Sequence, residues 1–394
     1  MRWFNWSRKE NDEFRVGVGT LGLDVNASRL RAVSSEPGRP PRAVLLDEPH
    51  EELPLAVSLE GPVPEVGRAA LGLIRRLPHL ACFDFLNDLG QPREWKVGRQ
   101  RFHASDLLAL AFERLCSVCP KPDHLTLVLP SYLNTQRVTA LAALLDKAGL
   151  TVRGSATLPL ALVAGCEHTH TRPHLALVVD ADDHALSGAI VQCEAGQCRL
   201  LATTAQTRLN IRAWKDQLLN SLADRCVRTC RRDPRDTPTA DQALYEQLDD
   251  AIDRVRKGQK ATLSIRGANW YQDLVQQSDD FDGYCAGLVK QAVFAMKELT
   301  LTAPEPPVTV WLTHTAGRLP GLAAALHEHA AERSEVSVLP ADFGARAAVA
   351  LAGRWQRDEL PRTHLDGSIP LPESAGARLR DTGTSGVRAF RVEN

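Results

Sequence analysis

The chain has 394 residues, more than the roughly 250 to 300 that one hydrophobic core usually holds, so its length predicts two lobes. Lys and Arg total 47 against 48 Asp and Glu, a balance that argues against binding nucleic acid or an anionic membrane through bulk charge. The 44% hydrophobic and 24% charged content is typical of a globular protein and excludes wholesale disorder.

The cysteines and the N-terminus bear on location. Nine cysteines at irregular spacing do not form a disulfide framework, so we expect a reducing, cytoplasmic compartment. Residues 1–14 have no apolar signal core and are expected to be a flexible terminus. No stretch approaches the ~18 apolar residues of a membrane helix, which predicts no integral membrane segment.

The first half of the chain predicts strands followed by alternating helices and strands. Short β-type runs at 20–25, 30–34 and 43–46 favour a hairpin or meander. Apolar residues at steps of three and four then predict amphipathic helices. The further elements of this half are a helix over 105–119, a strand over 124–129, a helix over 135–148, a short strand over 150–153 and a helix over 158–166.

The second half repeats this order with a helical insertion at about 211–282. Its predicted strands are 175–179, 186–193, 198–203, 261–265, 308–312 and 336–339. Its predicted helices are 211–230, 241–257, 281–301, 319–331 and 343–355. The repetition predicts one lobe over 15–172 and a second over 173–355, and the polar residues 356–394 predict a disordered tail.

An aspartate ends the first strand of each half, Asp24 in LGLDVN and Asp180 in LVVDAD. Ligands of open α/β sheets bind at the strand ends, so two facing lobes would bring these carboxylates to a central cleft. There they could hold Mg²⁺ through water, without direct ligation by the protein. We therefore assign Asp24 and Asp180 as the candidate catalytic pair.

This order of elements resembles the actin-like ATPase superfamily, and local residues resemble the nucleotide-binding domain of the 70-kDa heat-shock family. The strongest match is residues 127–137, LVLPSYLNTQR, followed by the AGL at 148–150 that closes a helix. Weaker matches lie at 66–70, 83–90, 318–320 and 343–345. The resemblance implies a duplicated two-lobed α/β fold of the actin-like, ribonuclease H-like type, with ATP or ADP and Mg²⁺ in the cleft.

The phosphate-binding positions depart from this family. Its first loop has a glycine and two threonines where this chain has Asn26, Ala27 and Ser28, and its second has a glycine run where this chain has Asp182 and Asp183. Glycines let the backbone approach phosphate oxygens, whereas carboxylates repel them. The family's catalytic lysine and glutamate fall on Leu71 and Leu158, and in its third loop only Gly317 suits a close approach. Efficient hydrolysis is therefore not expected.

The adenosine side keeps more of the family pattern. Asp253, Arg256 and Lys257 have the charges that hold ribose and adenine in the family. With Asn26, Ser28, Asp182 and Gly317 they complete the predicted nucleotide-binding set, for which we expect weak binding at most. The alternative for Asp253–Lys257 is an exposed charge pair on a solvated helix.

Three other patterns have simpler alternatives. G-x-G-x-x-G at 17–22 precedes a β-type run instead of a helix, which argues against a dinucleotide site. Cys116 and Cys119 form a lone C-x-x-C inside an amphipathic helix, which favours packing over zinc. The densest group of metal-ligand types lies between the lobes, where a solvated loop is the alternative to a metal site: Cys166, His168, His170 and His174.

Three functions remain open. The first is a degenerate, heat-shock-70-like pseudo-ATPase that acts as a scaffold or regulatory chaperone-like module with a protein partner. The second is a slow ATP-hydrolysing chaperone or co-chaperone. The third is an actin-like assembly component of the pilus or cell-division type. Residues 356–394 are too few for the family's peptide-binding domain, so we expect no self-contained chaperone cycle in this chain.

Overall fold

The computed structural model describes residues 19–119, 121–166, 173–267, 269–331 and 334–371. These residues form a mixed α/β structure built on a seven-stranded and a six-stranded sheet. The predicted α/β class is therefore confirmed. The expected flexible terminus at 1–14 lies outside the described residues.

The strands, in chain order, are β1 (Thr20–Val25), β2 (Arg29–Ser35), β3 (Arg42–Ala43), β4 (Glu52–Pro54), β5 (Val57–Ser58), β6 (Glu65–Val66), β7 (Ala81–Cys82), β8 (Glu94–Val97), β9 (Gln100–His103), β10 (His124–Leu129), β11 (Val152–Thr157), β12 (Leu175–Ala181), β13 (Leu186–Glu194), β14 (Gln197–Gln206), β15 (Ala261–Gly267), β16 (Trp270–Gln276), β17 (Thr309–Leu312), β18 (Glu335–Val338), β19 (His364–Leu365) and β20 (Ser368–Pro370).

The α-helices are α1 (Arg68–Leu71), α2 (Ala104–Val118), α3 (Thr135–Lys147), α4 (Leu158–Ala164), α5 (Ile211–Cys230), α6 (Pro238–Arg256), α7 (Ser278–Thr300), α8 (His314–Arg318), α9 (Leu322–His329) and α10 (Phe343–Gln356). Asn134 caps α3 and Asn210 caps α5 through side-chain oxygens that accept backbone N–H groups. In the described part of the chain, no helix is long and apolar enough to span a membrane.

Five strands of each large sheet repeat one order, β11-β10-β1-β2-β3 in the first and β18-β17-β12-β13-β14 in the second, and β19 and β20 add at opposite edges. The first runs β19-β11-β10-β1-β2-β3, with β4 also on β2, and the second runs β18-β17-β12-β13-β14-β20. In each, the first strand of the half lies antiparallel to the next strand and parallel to a strand that follows a helix. The ends of strands β1 and β12 thus place Asp24 and Asp180 at equivalent positions in the two sheets.

Two helices join the sheets. Every residue of α4 is buried, and this helix contacts β10 and β11 of the first sheet and β13 and β14 of the second. Helix α10 follows the second sheet in the chain but packs on β1, β2, β10 and β11 of the first. Because each helix belongs to one half by sequence and packs partly on the other, the halves share a buried core of apolar side chains.

The predicted disordered tail is wrong for residues 356–371. After α10 the chain adds β19 to the first sheet and β20 to the second, and Leu360, Leu365 and Ile369 are buried. The local sequence could not predict this pairing, because the segment is polar and its partner strands lie more than 150 residues away. Residues 372–394 lie outside the described part of the chain.

Several short elements were not predicted. The hairpin β8–β9, the five-residue helix α8 and β16, which pairs with the correctly predicted strand β15, were not assigned. β11 begins two residues later than the predicted strand at 150–153 and extends to Thr157. The predicted helical insertion at 211–282 contains α5 and α6 but also the β15–β16 hairpin. β8, β9 and β16 have few buried residues and no clear apolar run, which explains why they were missed.

Gly154 offers a test of the contact between α10 and the first sheet. A Cβ added at Gly154 would lie 2.2 Å from the ring of buried Trp355, so we expect Gly154→Ala to lower the free energy of unfolding by about 1–3 kcal/mol through overpacking. Gly287→Ala, at an exposed position of α7, is the control. An added Cβ there would meet no atom within 4 Å, so this change should stabilise the protein by about 0.5–1 kcal/mol. Urea unfolding measures both, and similar effects at the two sites would contradict the packing described.

Candidate functional site

Asp24 lies at the end of β1, 4% exposed, and is paired with an arginine of the next strand. Arg29 Nη1 donates to Asp24 Oδ2 at 3.0 Å, and Arg29 is itself buried. A tight turn between β1 and β2 places the two residues side by side. The charge of this predicted catalytic carboxylate is therefore compensated within its own lobe.

The first phosphate-loop position has its backbone donors occupied. Asn26 Oδ1 accepts from Ser28 N–H and Arg29 N–H, both at 3.0 Å. Ala27 N–H donates to Asp182 Oδ2 of the second half at 3.1 Å. The Ser28 hydroxyl accepts from Asp183 N–H at 2.8 Å. The groups that would bind a phosphate thus bind the protein's own side chains and backbone.

Asp182 is the centre of this arrangement and is 1% exposed. Its Oδ2 accepts from Ala27 N–H and, in a very short contact, from the Tyr132 hydroxyl, both in the first half. Its Oδ1 accepts from His184 N–H and Ala185 N–H at 2.9 Å each. Burial raises the pKa of Asp182, an effect that these hydrogen bonds oppose. One carboxylate therefore joins the two loops.

Asp180 and Asp183 flank Asp182 and hold their protons more tightly than exposed carboxyls do. Burial and the charge of Asp182 raise the pKa of Asp180 to about 7, although the Thr313 hydroxyl donates to it at 2.6 Å. Burial also raises the pKa of Asp183 to about 7. Near pH 7, each of these two carboxyls is therefore close to half protonated.

Little free space remains beside these carboxyls. The cavity lined by Asp180, Pro130, Leu158 and Ser187 measures about 10 Å³, below the roughly 300 Å³ at which small-molecule sites begin. Leu158, at the family's glutamate position, is buried in α4. Leu71, at its lysine position, offers its carbonyl oxygen to Gln242 Nε2 at 2.9 Å. Neither leucine supplies a charge to the cleft.

Gly317 of the third loop faces a neighbouring strand. A Cβ at this position would lie 2.4 Å from Val338 of β18, so the glycine permits packing of α8 on the second sheet. Next to it, burial and the charges of Arg31 and Arg318 lower the pKa of His314 to about 4. His314 is therefore neutral at physiological pH.

The predicted adenosine side is partly occupied by an ion pair. Arg318 of α8 donates to Asp253 through Nε at 2.7 Å and Nη2 at 3.1 Å. Arg256 and Lys257 are exposed at the end of α6. Arg256 and Arg318 line a cavity of about 150 Å³, half the lower limit of typical ligand sites.

Further contacts around the cleft also connect the two halves. Gln242 of α6, 4% exposed, accepts from Arg75 N–H at 2.8 Å, and Arg75 Nε donates to Asp241 at 2.8 Å. Across the opening, His184 Nδ1 lies 3.3 Å from Asp84, a contact that raises the pKa of His184. The described residues thus close the cleft at its centre and at its rim.

Among the described residues, the other sequence patterns do not form a metal site. Cys166 is buried and donates to Val163 O, whereas His174 is half exposed and its Nδ1 lies 3.0 Å from Cys193 O; His168 and His170 lie outside the described residues. Burial raises the pKa of Cys119 to about 12. Gly22 lies within β1 and Gly17 is undescribed. No cluster able to hold a metal occurs in the part of the chain that is described.

Sequence reasoning missed the partners of the carboxylates. Arg29, Tyr132 and Thr313 received no role, although Tyr132 lies within the segment that carries the resemblance. A buried aspartate needs a donor, and Arg29 five residues after Asp24 was an available signal. Tyr132 and Thr313 reach their aspartates only through tertiary folding, so no local pattern reveals them.

We expect Tyr132→Phe to lower the free energy of unfolding by about 1–3 kcal/mol, because buried Asp182 loses a donor. Tyr271→Phe is the matched control: its hydroxyl donates to Asp273 on a surface hairpin, and Tyr271 is 55% exposed. The control should change stability by less than about 0.5 kcal/mol. Equal effects in urea unfolding would refute the central role of Asp182.

Asp180→Asn should stabilise the protein more at pH 8 than at pH 5.5. The pKa of Asp180 is about 7 in the folded protein and about 3.9 in an unfolded chain. The parent's stability contribution is thus complete below about pH 4 and is lost as the pH rises to about 7, whereas asparagine cannot ionise.

The variant-minus-parent difference in unfolding free energy should therefore increase by about 2 kcal/mol between pH 5.5 and 8. Asp250→Asn, on an exposed face of α6, provides the control. A difference for Asp180→Asn that stays constant with pH would show that this carboxyl does not retain its proton.

The sequence matches no known protein-family model. It also matches no curated protein sequence. The geometry of the cleft therefore carries the functional argument.

Proposed function

We propose that this protein is an actin-like, heat-shock-70-type pseudo-ATPase that acts as a scaffold or regulatory chaperone-like module. The observation that carries this proposal is the carboxylate of Asp182, which accepts Ala27 N–H and the Tyr132 hydroxyl from the opposite half. A nucleotide phosphate would need the same donors and would meet a negative charge at that place. Magnesium nucleotide is thus a poor ligand for this cleft.

The actin-like part of the proposal is supported by the repeated strand order and by the two joining helices. Five consecutive strands of each large sheet, β11-β10-β1-β2-β3 and β18-β17-β12-β13-β14, have the same order of parallel and antiparallel neighbours. In addition, α4 and α10 each pack partly on the opposite half. A duplicated fold accounts for this symmetry without further assumptions. The aspartates at the ends of β1 and β12 are then equivalent positions of the duplication.

A protein partner is part of the proposal because the cleft offers little room and the surface offers apolar side chains. Phe294 and Leu301, seven residues apart on and after α7, are 65% and 79% exposed. Cavities of about 420 and 890 Å³ lie along this helix. Large exposed apolar side chains beside cavities are typical of protein-binding surfaces. We propose no role for nucleic acid.

A slow ATP-hydrolysing chaperone is the second candidate. The favouring observation is the cavity beside Arg256 and Arg318, which coincides with the predicted adenosine side. If this candidate holds, ATP raises the melting temperature of the parent, and Asp24→Ala or Asp180→Ala abolishes that increase.

Calorimetric titration with MgATP up to millimolar concentration tests the proposal. We expect no saturable heat and no phosphate release above background, because the loop donors are occupied. An active heat-shock-70 protein serves as positive control. A binding curve together with turnover comparable to that control would overturn the proposal. Sedimentation with and without nucleotide distinguishes the assembly alternative, which requires polymers.

A further inference from the structure

A disulfide lies at the tip of the hairpin formed by β13 and β14. Cys193 and Cys198 are bonded across the strands, five residues apart, with Cα atoms separated by 4.2 Å. They occupy directly opposed positions, one pair beyond the Glu194–Gln197 pair next to the turn.

The hairpin does not need this bond to form. Nine residue pairs align β13 with β14, and the disulfide closes so short a loop that it restricts the unfolded chain little compared with a long-range disulfide. In a reducing compartment, which the sequence predicts, disulfides are usually transient, catalytic or redox-sensing. A disulfide that contributes little to the stability of the fold, in a reducing compartment, is suited to thiol–disulfide exchange.

The two sulfurs differ in access. Cys193 is half-buried and next to the exposed turn residues 194–196, whereas Cys198 is completely buried. Burial raises the pKa of three other cysteine thiols, Cys82, Cys119 and Cys285, to about 12. An incoming thiolate therefore reaches Cys193 Sγ more readily than Cys198, and the buried thiols compete poorly.

The bonded hairpin also supports the last described strand. Ile369 of β20 pairs with Cys198, and Leu371 N–H donates to Gly196 O at 2.6 Å. Ile369 is fully buried against the same apolar cluster as Cys198. The bond thus restrains only the last pairs of the hairpin, on which β20 lies. Its loss would let this tip separate from β20 while the other residue pairs keep the rest of the hairpin together.

We propose that Cys193–Cys198 is a redox modification site, opened by a dithiol reductant, that controls the docking of residues 368–371. A thiolate of the reductant attacks Cys193 Sγ and forms a mixed disulfide, and Cys198 leaves as a thiolate that takes a proton from solvent. The second thiol of the reductant then displaces Cys193, which is protonated in turn. Two electrons and two protons pass to the protein, and the reductant becomes a disulfide.

Alkylation with iodoacetamide followed by mass spectrometry tests the bond in the full-length protein. Without reductant, we expect Cys193 and Cys198 to remain unlabelled under denaturing conditions; after a dithiol such as dithiothreitol, both are labelled. Cys226 and Cys230, whose sulfurs lie 3.5 Å apart on α5, should be labelled in both samples and are the internal control. Labelling of Cys193 and Cys198 without reductant would overturn the proposal.

Hydrogen exchange tests the control of β20. Reduction should increase exchange of peptides that contain residues 368–371 by about tenfold, while α5 remains unchanged. The double variant Cys193→Ser and Cys198→Ser should exchange at the fast rate with and without reductant, and Cys226→Ser with Cys230→Ser should behave as the parent. Equal exchange of residues 368–371 in the oxidised and reduced parent would refute the role in docking.

Discussion

The buried carboxylate of Asp182 is the constraint on which the contact between the halves depends. At 1% exposure, a carboxylate must find donors within the protein, since water does not reach it. Ala27 N–H and the Tyr132 hydroxyl come from the first half, and His184 N–H and Ala185 N–H from its own loop. Separating the halves would remove half of these donors, so the closed cleft is favoured.

This constraint also decides the competition with a ligand. A hydrogen bond to a charged group contributes about 1.5–3 kcal/mol, whereas micromolar binding supplies about 8 kcal/mol in total. A nucleotide entering the cleft would first break the four hydrogen bonds of Asp182 and those of Asn26 and Ser28. The loss of the four bonds to Asp182 alone, about 6–12 kcal/mol, is comparable to the whole binding free energy. This comparison is the physical reason for proposing that nucleotide binds weakly at most.

The sequence predicted well those strands and helices whose stabilising contacts involve residues close in the chain. β1 agrees at both ends with its apolar run at 20–25, and α5 agrees with its capped helix at 211–230, because burial and capping there involve residues close in sequence. The order of the strands followed from the repetition. Residues 364–371 were misread because β19 and β20 obtain their partners from β11 and β14. The aspartates were found by position, but Tyr132 and Thr313 reach them only after folding.

The joining helices α4 and α10 couple the closed state of the cleft to the packing of the whole molecule. In a two-lobed protein that opens around a ligand, the lobes must rotate while the core between them stays intact. Here α4 is buried on every residue, α10 covers the first sheet, and the rim is held by Gln242 and Arg75. Opening would therefore disturb the centre, the rim and the shared core together. The outer surfaces of such a molecule do not depend on an opening of the cleft. The proposed partner contact and the proposed redox control therefore lie there, at the exposed residues of α7 and at the hairpin that carries β20.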